Sequence, residues 1–561
     1  MSGQSAKPVL VISDFTCDPL VQALSRQTGR RDISVAPFNQ VHQSLDAASR
    51  GDHDLVIVWT TPSGVLPAFA RAARLDEVDH EQVLAEVDGF AELLGRVADR
   101  CPVLMASWSR PMDIAGYGML DWRPGLGLAG LTAAANLRLA DRLASKPDAF
   151  VIDSQRWLGS VAGPDSPKLW YAAKVPYRPE VFTAAAMDVV AAMEALAGRS
   201  RRLVIVDLDD TLWGGVVGDV GWERIRLGGP DPLGEAFEDF QRALKELTAR
   251  GIQLGVVSKN TEAVAREAMD RHPSMVLRTA DFAGMRINWQ DKAANVAALV
   301  SELGLGLASV VFIDDNPVER SRVSQALPEV LVPDWPADPM LFAQALRAMR
   351  CFTPAAMSTE DRHRTQMYAA QRERTSALSD VGSVQDWLAS LETCVQVTRV
   401  TEATFTRVAQ LLNKTNQLNL RTRRLAEAEL RSWAEDPEHE LLTVSVSDRF
   451  GDLGLVGILG IDFAGQSAQV ADFVLSCRAM GRGVEPTMVH ALWRACADRG
   501  AGDVRLEYVP TERNAPTLAA LRDAGLRDDD AHVFIVDERS APQPPDGVRV
   551  DYALDSHPAS E

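Results

Sequence analysis

The chain has 561 residues, a formal net charge of −19, 46% hydrophobic residues and six cysteines. At roughly 150 residues per domain the length predicts three to four domains, each long enough to bury a core. The acidic balance excludes nonspecific binding to nucleic acid or to an anionic membrane, and the scattered cysteines, without CxxC or zinc spacing, fit a soluble, cytoplasmic, reduced protein.

From Val9 to about residue 185, apolar runs at Val9 to Ile12, Leu55 to Trp59, Val103 to Ser107 and Ala149 to Ile152 alternate with helical stretches such as Glu81 to Asp99 and Gly127 to Leu143. That alternation predicts a parallel α/β layer over 1–185. It resembles the SGNH-hydrolase-like domain that precedes some phosphatases. The block after the first strand is Ser13-Asp14-Phe15-Thr16-Cys17 instead of Gly-Asp-Ser, and no late Asp-x-x-His follows. The domain therefore reads as degenerate and as a docking or scaffolding element. A reactive thiol at Cys17 stands as the alternative.

The region 186–350 carries the strongest chemical signal. The apolar run Leu203-Val204-Ile205-Val206 enters Asp207-Leu208-Asp209-Asp210-Thr211 and leaves through Leu212-Trp213-Gly214-Gly215. Two carboxylates two residues apart at a strand end can share a cation while one attacks phosphorus and the other moves a proton. A second strand ends at Ser258, whose hydroxyl and neighbouring amides suit a phosphate oxygen. Lys292 suits neutralisation of nucleophile and phosphoryl charge, and Val310-Val-Phe-Ile-Asp314-Asp315 is a strand with two acids at its carboxyl end. In this order the clusters resemble the haloacid-dehalogenase (HAD) superfamily, with a Rossmannoid phosphatase fold. The resemblance implies Asp207 as nucleophile, Asp209 as acid and base, Thr211, Ser258 and Lys292 as phosphate-binding residues, and Mg²⁺ held by Asp207, the carbonyl of Asp209 and Asp314, with Asp315 beside it. Asp at position 209 is similar to the phosphatase members.

Spacing limits the substrate. From Asp207 to Ser258 are 51 positions and from Ser258 to Lys292 are 34. The first accommodates a flap at Trp213 to Gly221, a helix at Leu233 to Ala249 and a strand, and neither leaves room for an inserted cap. A capless site admits a bulky substrate, such as a phosphate carried on a protein.

A helical linker is expected over 351–394, a third α/β domain over 395–536, and a disordered tail over 537–561. In the third domain the strand Ala468 to Ser476 meets Cys477-Arg478-Ala-Met-Gly481-Arg-Gly483 and then a helix. Glycines that open a helix N-terminus let amides approach phosphate. This turn resembles the pyrophosphate-binding turn of the GNAT acyltransferases, and Thr511, Arg513 and Asn514 resemble that fold's later helix. Cys477 then lies where an acyl thioester would sit, and Arg478 and the helix N-terminus would hold its thiolate. A buried apolar cysteine is the alternative.

The arrangement of these regions, through Asp207 to Asp219, Val257 to Asn260, Phe312 to Arg320, Asn413 to Asn419, Asp448 to Gly457 and Leu475 to Glu485, resembles the FkbH-like glyceryl transferase/phosphatase family. That resemblance implies loading of the glyceryl unit of D-1,3-bisphosphoglycerate, after removal of phosphate, onto the phosphopantetheine arm of an acyl carrier protein for polyketide-type biosynthesis. It also makes Arg478, Gly481, Gly483, Asn413, Asn416 and Asn514 pantetheine or acyl contacts, the three-residue spacing of Asn413, Asn416 and Asn419 fitting one helical face. Arg421, Arg423 and Arg424 form a candidate basic patch for an acidic partner, or a solvated helix end. Asp448 and Arg449 read either as a substrate contact or as a turn-stabilising pair, and His490 either assists Cys477 or is structural. Two rival functions remain: a stand-alone Mg²⁺-dependent phosphatase of small metabolites, and a carrier-binding scaffold with vestigial sites.

Overall fold

The computed structural model describes residues 7–110, 114–354, 391–415, 418–449, 451–476, 479–511, 514–528 and 532–553. The chain separates into two compact units, Met1–Ser200 with Met349–Ala355, and Arg201–Ala348 with Ala356–Glu561. The described residues form three sheets, one in the first unit and two in the second. Among them no helix is long and apolar enough to cross a membrane.

In the first unit β1 (Val9–Ile12), β2 (Ile33–Val35), β3 (Leu55–Val58), β4 (Val103–Ala106) and β5 (Ala149–Ile152) pair in parallel in the order β2-β1-β3-β4-β5. The apolar runs of β3 and β4, and of β1 apart from the half-buried Leu10, are buried on both faces, as helices on both sides of a parallel sheet require. Of those helices, α1 (Asp18–Thr28) and α4 (Pro179–Leu196) close one face, and α2 (His80–Ala98) and α3 (Leu128–Leu143) the other. The Asp79 side chain caps α2 by accepting from the N–H of Glu81. The boundary expected at residue 185 falls inside α4. Val181, Phe182, Ala185, Ala186 and Val189 are all buried in the first unit's core, each large one contributing about 1.5–3 kcal/mol, so the helix belongs wholly to that unit.

In the second unit β6 (Leu203–Val206), β7 (Gln253–Ser258), β8 (Gly284–Ile287) and β9 (Val310–Ile313) form a parallel sheet in the order β8-β7-β6-β9. Between β6 and β7 lie a flap and α5 (Pro232–Thr248), whose Asp231 cap accepts from the N–H of Leu233. No further domain is inserted there or between β7 and α6 (Lys292–Glu302), as the spacing predicts, and α7 (Pro317–Ala326) follows β9.

The other sheet follows the order β16-β15-β14-β13-β12-β10-β17, with β11 (Leu418–Asn419) against β14 (Ser467–Leu475). Its chain order is β10 (Thr393–Arg399), α8 (Glu402–Lys414), β11, α9 (Glu427–Ala434), β12 (His439–Asp448), β13 (Gly451–Ala464), β14, α10 (Val484–Asp498), β15 (Asp503–Glu507), α11 (Ala515–Asp523), β16 (Val533–Val536) and β17 (Val548–Ala553). β14 and β15 pair in parallel only at Ser467 to Gln469 with Asp503 to Arg505, and diverge beyond. The tail expected to be disordered from 537 is not so through its first part. β17 pairs in parallel with β10, and Val548, Val550 and Tyr552 pack on the core, because period-two apolar residues can cover an open sheet edge. The linker 355–390 lies outside the described residues.

Candidate phosphoryl-transfer site and acyl-transfer turn

Asp207 directly follows β6 and Asp314 follows β9, so two adjacent parallel strands deliver both carboxylates to one edge. Lys292 opens α6, whose Asp291 cap accepts from the N–H of Ala294. Its buried ammonium lies 2.9 Å from Asp207 Oδ2 and 2.6 Å from Asp314 Oδ2. Burial alone would lower the Lys292 pKa, but the two carboxylates outweigh it and the pKa rises. Burial, with the charge of Asp207 adding to it and Lys292 opposing it, pushes the Asp314 carboxyl up to about 6. Asp315 is raised as well, first by burial.

Oxygens of Asp207, Asp314 and Asp315 lie within 4.8 Å of one another. Asp207 Oδ1 is buried without a hydrogen-bond partner. Three carboxylates face one ammonium, an oxygen-rich set with surplus negative charge that suits a hard divalent cation, so these residues fit Mg²⁺. The Asp209 side chain is not among them. Its Oδ1 accepts from Trp213 Nε1 at 2.9 Å and from the N–H of Val217 at 3.0 Å, and its Oδ2 accepts from Asn260 Nδ2 at 2.9 Å. That leaves only the backbone carbonyl of Asp209 for the metal-ligand role the resemblance implies. Burial raises the Asp209 pKa above the usual carboxylate range.

Some assignments shift. The Thr211 hydroxyl, expected at phosphate, donates to Asp315 Oδ1 at 3.0 Å and accepts the N–H of Asp315 at 3.1 Å. It therefore orients Asp315 instead. Trp213, at the start of the expected flap, is fully buried and also donates to the Asp209 carboxylate. Ser258 ends β7, buried beside β6, its carbonyl accepting the N–H of Asn288. Sequence reasoning missed Asn260, two positions beyond Ser258, and Arg320, which donates to the carbonyls of Asp314 and Asp315 at 2.8 and 2.7 Å. For Asn260 the available signal was a polar side chain just past a buried strand end, and for Arg320 a basic residue in the first turns of the helix that follows Asp314 and Asp315.

In the β10–β17 sheet, Cys477, Arg478, Asn416 and Arg513 lie outside the described residues. Gly481 and Gly483 take positive φ of 72° and 75° and lead into α10, as a tight turn demands. Asn413 lies in α8, donating to the carbonyls of Ala409 and Leu425, whereas Asn419 lies in β11, so the asparagines do not share a helical face. Asn514 is fully buried and spent: Oδ1 accepts from Tyr508 and the N–H of Thr511, and Nδ2 donates to the carbonyls of Asn419 and Val509. It is a structural clamp and not a pantetheine contact. The basic patch is likewise consumed, Arg421 pairing with Glu507, Arg423 with Asp472, and Arg424 donating to the Leu412 carbonyl. His490 Nδ1 donates to the Pro542 carbonyl at 3.0 Å, a structural tether. Asp448 pairs with Arg482 at 3.3 Å.

In the first unit the corresponding sheet edge is filled. Phe15, Trp59 and Tyr177 pack together, Trp59 stacking on Tyr177 at 5.5 Å. Asp14 Oδ1 accepts the N–H of Thr61 at 2.8 Å and its Oδ2 the Thr61 hydroxyl at 2.5 Å. Cys17 is fully buried and burial pushes its pKa up to about 12, which removes the reactive-thiol alternative.

No family model and no curated protein matches the chain. Among solved structures it is similar to the crystal structure of the N-terminal part of the protein BF1531 from Bacteroides fragilis, containing a phosphatase domain complexed with Mg. The identity is 25% and the TM-score 0.57, over 63% of this chain and 95% of that one. That span is more than Arg201–Ala348 can fill alone. Weaker likenesses include the ribosomal-protein-S18-alanine N-acetyltransferase from Escherichia coli, at 10% identity and TM-score 0.20 over 25% of this chain and 90% of that one. Another is spermidine N-acetyltransferase from Vibrio cholerae, at 10% identity and TM-score 0.20 over 25% and 91%.

Proposed function

We propose that the chain is an enzyme that joins a Mg²⁺-dependent phosphatase to an acyl-transfer unit. In this reading it takes the glyceryl unit of D-1,3-bisphosphoglycerate, removes its remaining phosphate and loads it as a thioester on an acyl carrier protein. The observation that carries the phosphatase half is Asp207, with Oδ2 held by Lys292 and Oδ1 buried and unpartnered. The likeness to the Mg-complexed phosphatase domain supports it.

Oδ1 of Asp207 attacks phosphorus as the ester P–O bond breaks, giving an aspartyl-phosphate. Asp209, kept protonated longer by its raised pKa and aimed by Trp213, Val217 and Asn260, delivers its proton to the departing alkoxide. Asp209 then takes a proton from the water that attacks phosphorus, which restores Asp207 and releases phosphate. Lys292 neutralises charge on nucleophile and phosphoryl group throughout. Mg²⁺, held by Asp207, Asp314, Asp315 and the Asp209 carbonyl, would supply Lewis-acid stabilisation of the transferring group. The open strand edge without a cap fits a substrate tethered on a protein.

For the transfer half, the Cys477 thiolate attacks the acyl-phosphate carbonyl and expels inorganic phosphate, and exchange with the carrier thiol follows after dephosphorylation. The order of strands and helices, with β14 ending just before the glycine turn, supports this half. The test is intact-mass measurement after incubation with D-1,3-bisphosphoglycerate. Wild type gains a glyceryl adduct, Asp207→Asn traps a phosphoglyceryl adduct, and Cys477→Ala gains neither. An adduct on Cys477→Ala overturns the assignment.

A further inference from the structure

The two peptide planes that follow β9 are pinned at both ends. In the first, the Asp314 carbonyl accepts from Arg320 Nη1 at 2.8 Å, and the N–H of Asp315 donates to the Thr211 hydroxyl at 3.1 Å. In the second, the Asp315 carbonyl accepts from the same nitrogen at 2.7 Å, and the N–H of Asn316 donates to Asp314 Oδ1 at 2.9 Å. The other Asp314 oxygen, Oδ2, is held by Lys292. The aim of the Asp314 carboxylate therefore depends on the second plane, and that plane depends on Arg320. Asp315 is tied in the same way, its peptide by Arg320 and Thr211 and its side chain by the Thr211 hydroxyl.

The place of this arginine is not set by its helix. α7 begins at Pro317, and its cap, Asn316, accepts the N–H of Val318. A cation this close to a helix N-terminus opposes the dipole, so helix formation alone disfavours Arg320. Its half-buried guanidinium instead reaches back past the cap to the two carbonyls, where charge-assisted hydrogen bonds outweigh that cost. Arg322, two positions further on, makes only an exposed pair with Asp291, of the kind that contributes little. The first turns of α7 thus commit one arginine to the strand end and leave the other at the surface.

We propose that Arg320 is a positioning residue for Mg²⁺ binding, holding the backbone from which Asp314 and Asp315 would reach the ion. A rival account gives Arg320 only its charge, and the two differ in sign. A positive charge beside a cluster of carboxylates repels a divalent cation, so its loss alone tightens binding. Loss of a group that orients metal ligands weakens binding instead. The test titrates MgCl₂ into the full chain and reads an apparent Kd from the rise in the thermal midpoint that the ion shifts. Arg320→Ala raises that Kd by about 10–100-fold. Arg320→Lys, which keeps the charge and its N–H donors, loses less, and it serves if the alanine variant does not fold. Arg322→Ala removes the same charge from the same helix and leaves the Kd unchanged or lower. Phosphate release by Arg320→Ala falls at low Mg²⁺ and recovers as Mg²⁺ is raised. An unchanged or lower Kd in the folded Arg320 variants overturns the proposal. So does equal weakening by Arg322→Ala, or a loss of release that Mg²⁺ does not restore. The inference rests on the reading of the three carboxylates as the Mg²⁺ site. Wild type that binds no Mg²⁺ defeats that reading and the inference with it, whereas equal binding by wild type and Arg320→Ala defeats the inference alone.

Discussion

Asp14 and Asp207 occupy equivalent places in two different sheets: each lies just beyond a Val/Leu/Ile strand at the carboxyl edge, with a parallel strand on either side. Asp14 has both oxygens bonded to Thr61 and its crevice packed with Phe15, Trp59 and Tyr177. Asp207 has one oxygen on Lys292 and one with no partner. The parallel topology offers both positions to ligands, and hydrogen-bond satisfaction separates them. An edge carboxylate with a donor on each oxygen and its crevice packed with aromatic rings has a structural role, whereas one with an oxygen left unpartnered against a buried ammonium is poised for chemistry.

The sharpest way to break this contrast is to neutralise each acid. Asp207→Asn removes the attacking oxygen and should lower Mg²⁺-dependent phosphate release by on the order of 10³-fold or more. Asp14→Asn should leave release unchanged, and comparable losses in the two variants would show that the two edges are not functionally distinct. Lys292→Ala comes next. It should cost about 10²–10³-fold in rate and, because it leaves Asp207 and Asp314 buried without their cation, about 3 kcal/mol or more of stability in metal-free buffer. Added Mg²⁺ should recover part of the loss in thermal midpoint by supplying positive charge to the folded state alone. No recovery would argue that the three carboxylates do not hold the ion.

A smaller, conditional effect is expected for Asp209→Asn. An alkyl phosphate needs a proton on its leaving oxygen, so the variant should lose about 10²-fold with such a substrate. A nitrophenyl phosphate departs as a stable anion and should lose much less. Equal losses with both would remove Asp209 from the acid role and leave it as a support for the flap.

The polar strand ends were legible in the sequence because each is announced locally, by four buried apolar residues and then an acid, as at Val206-Asp207 and Ile313-Asp314. Helices were legible for a similar reason, α2 and α5 falling within one residue of the stretches their periodicity marks. What local pattern could not carry was the choice of partner across the fold. Thr211 bonds Asp315 more than a hundred positions away, and Asn514 bonds Asn419 95 positions away. β17 reads as a polar tail until β10 is seen to have a free edge for it. The Arg421 to Arg424 run reads as a basic patch only while Glu507 and Asp472 are out of view.

The smallest effect concerns the stability of the acid that does no chemistry. Burial raises the Asp14 pKa above its unfolded value of about 3.9, with the Thr61 hydrogen bonds opposing the shift without cancelling it. A raised carboxyl favours the protonated fold, so its contribution is fully present below the unfolded pKa and is lost as pH rises through the folded one. Asp14→Asn is neutral throughout and lacks that decline. Thermal unfolding of the variant and wild type at pH 4 and pH 7 should therefore show the difference moving in the variant's favour as pH rises, by about 1 kcal/mol or less. Movement in the other direction would mean that the ionised carboxylate is the favoured form. Asp14 would then be held as an anion at its sheet edge much as Asp207 is held by Lys292, and the distinction between a spent and a poised acid would have to rest on the aromatic plug alone.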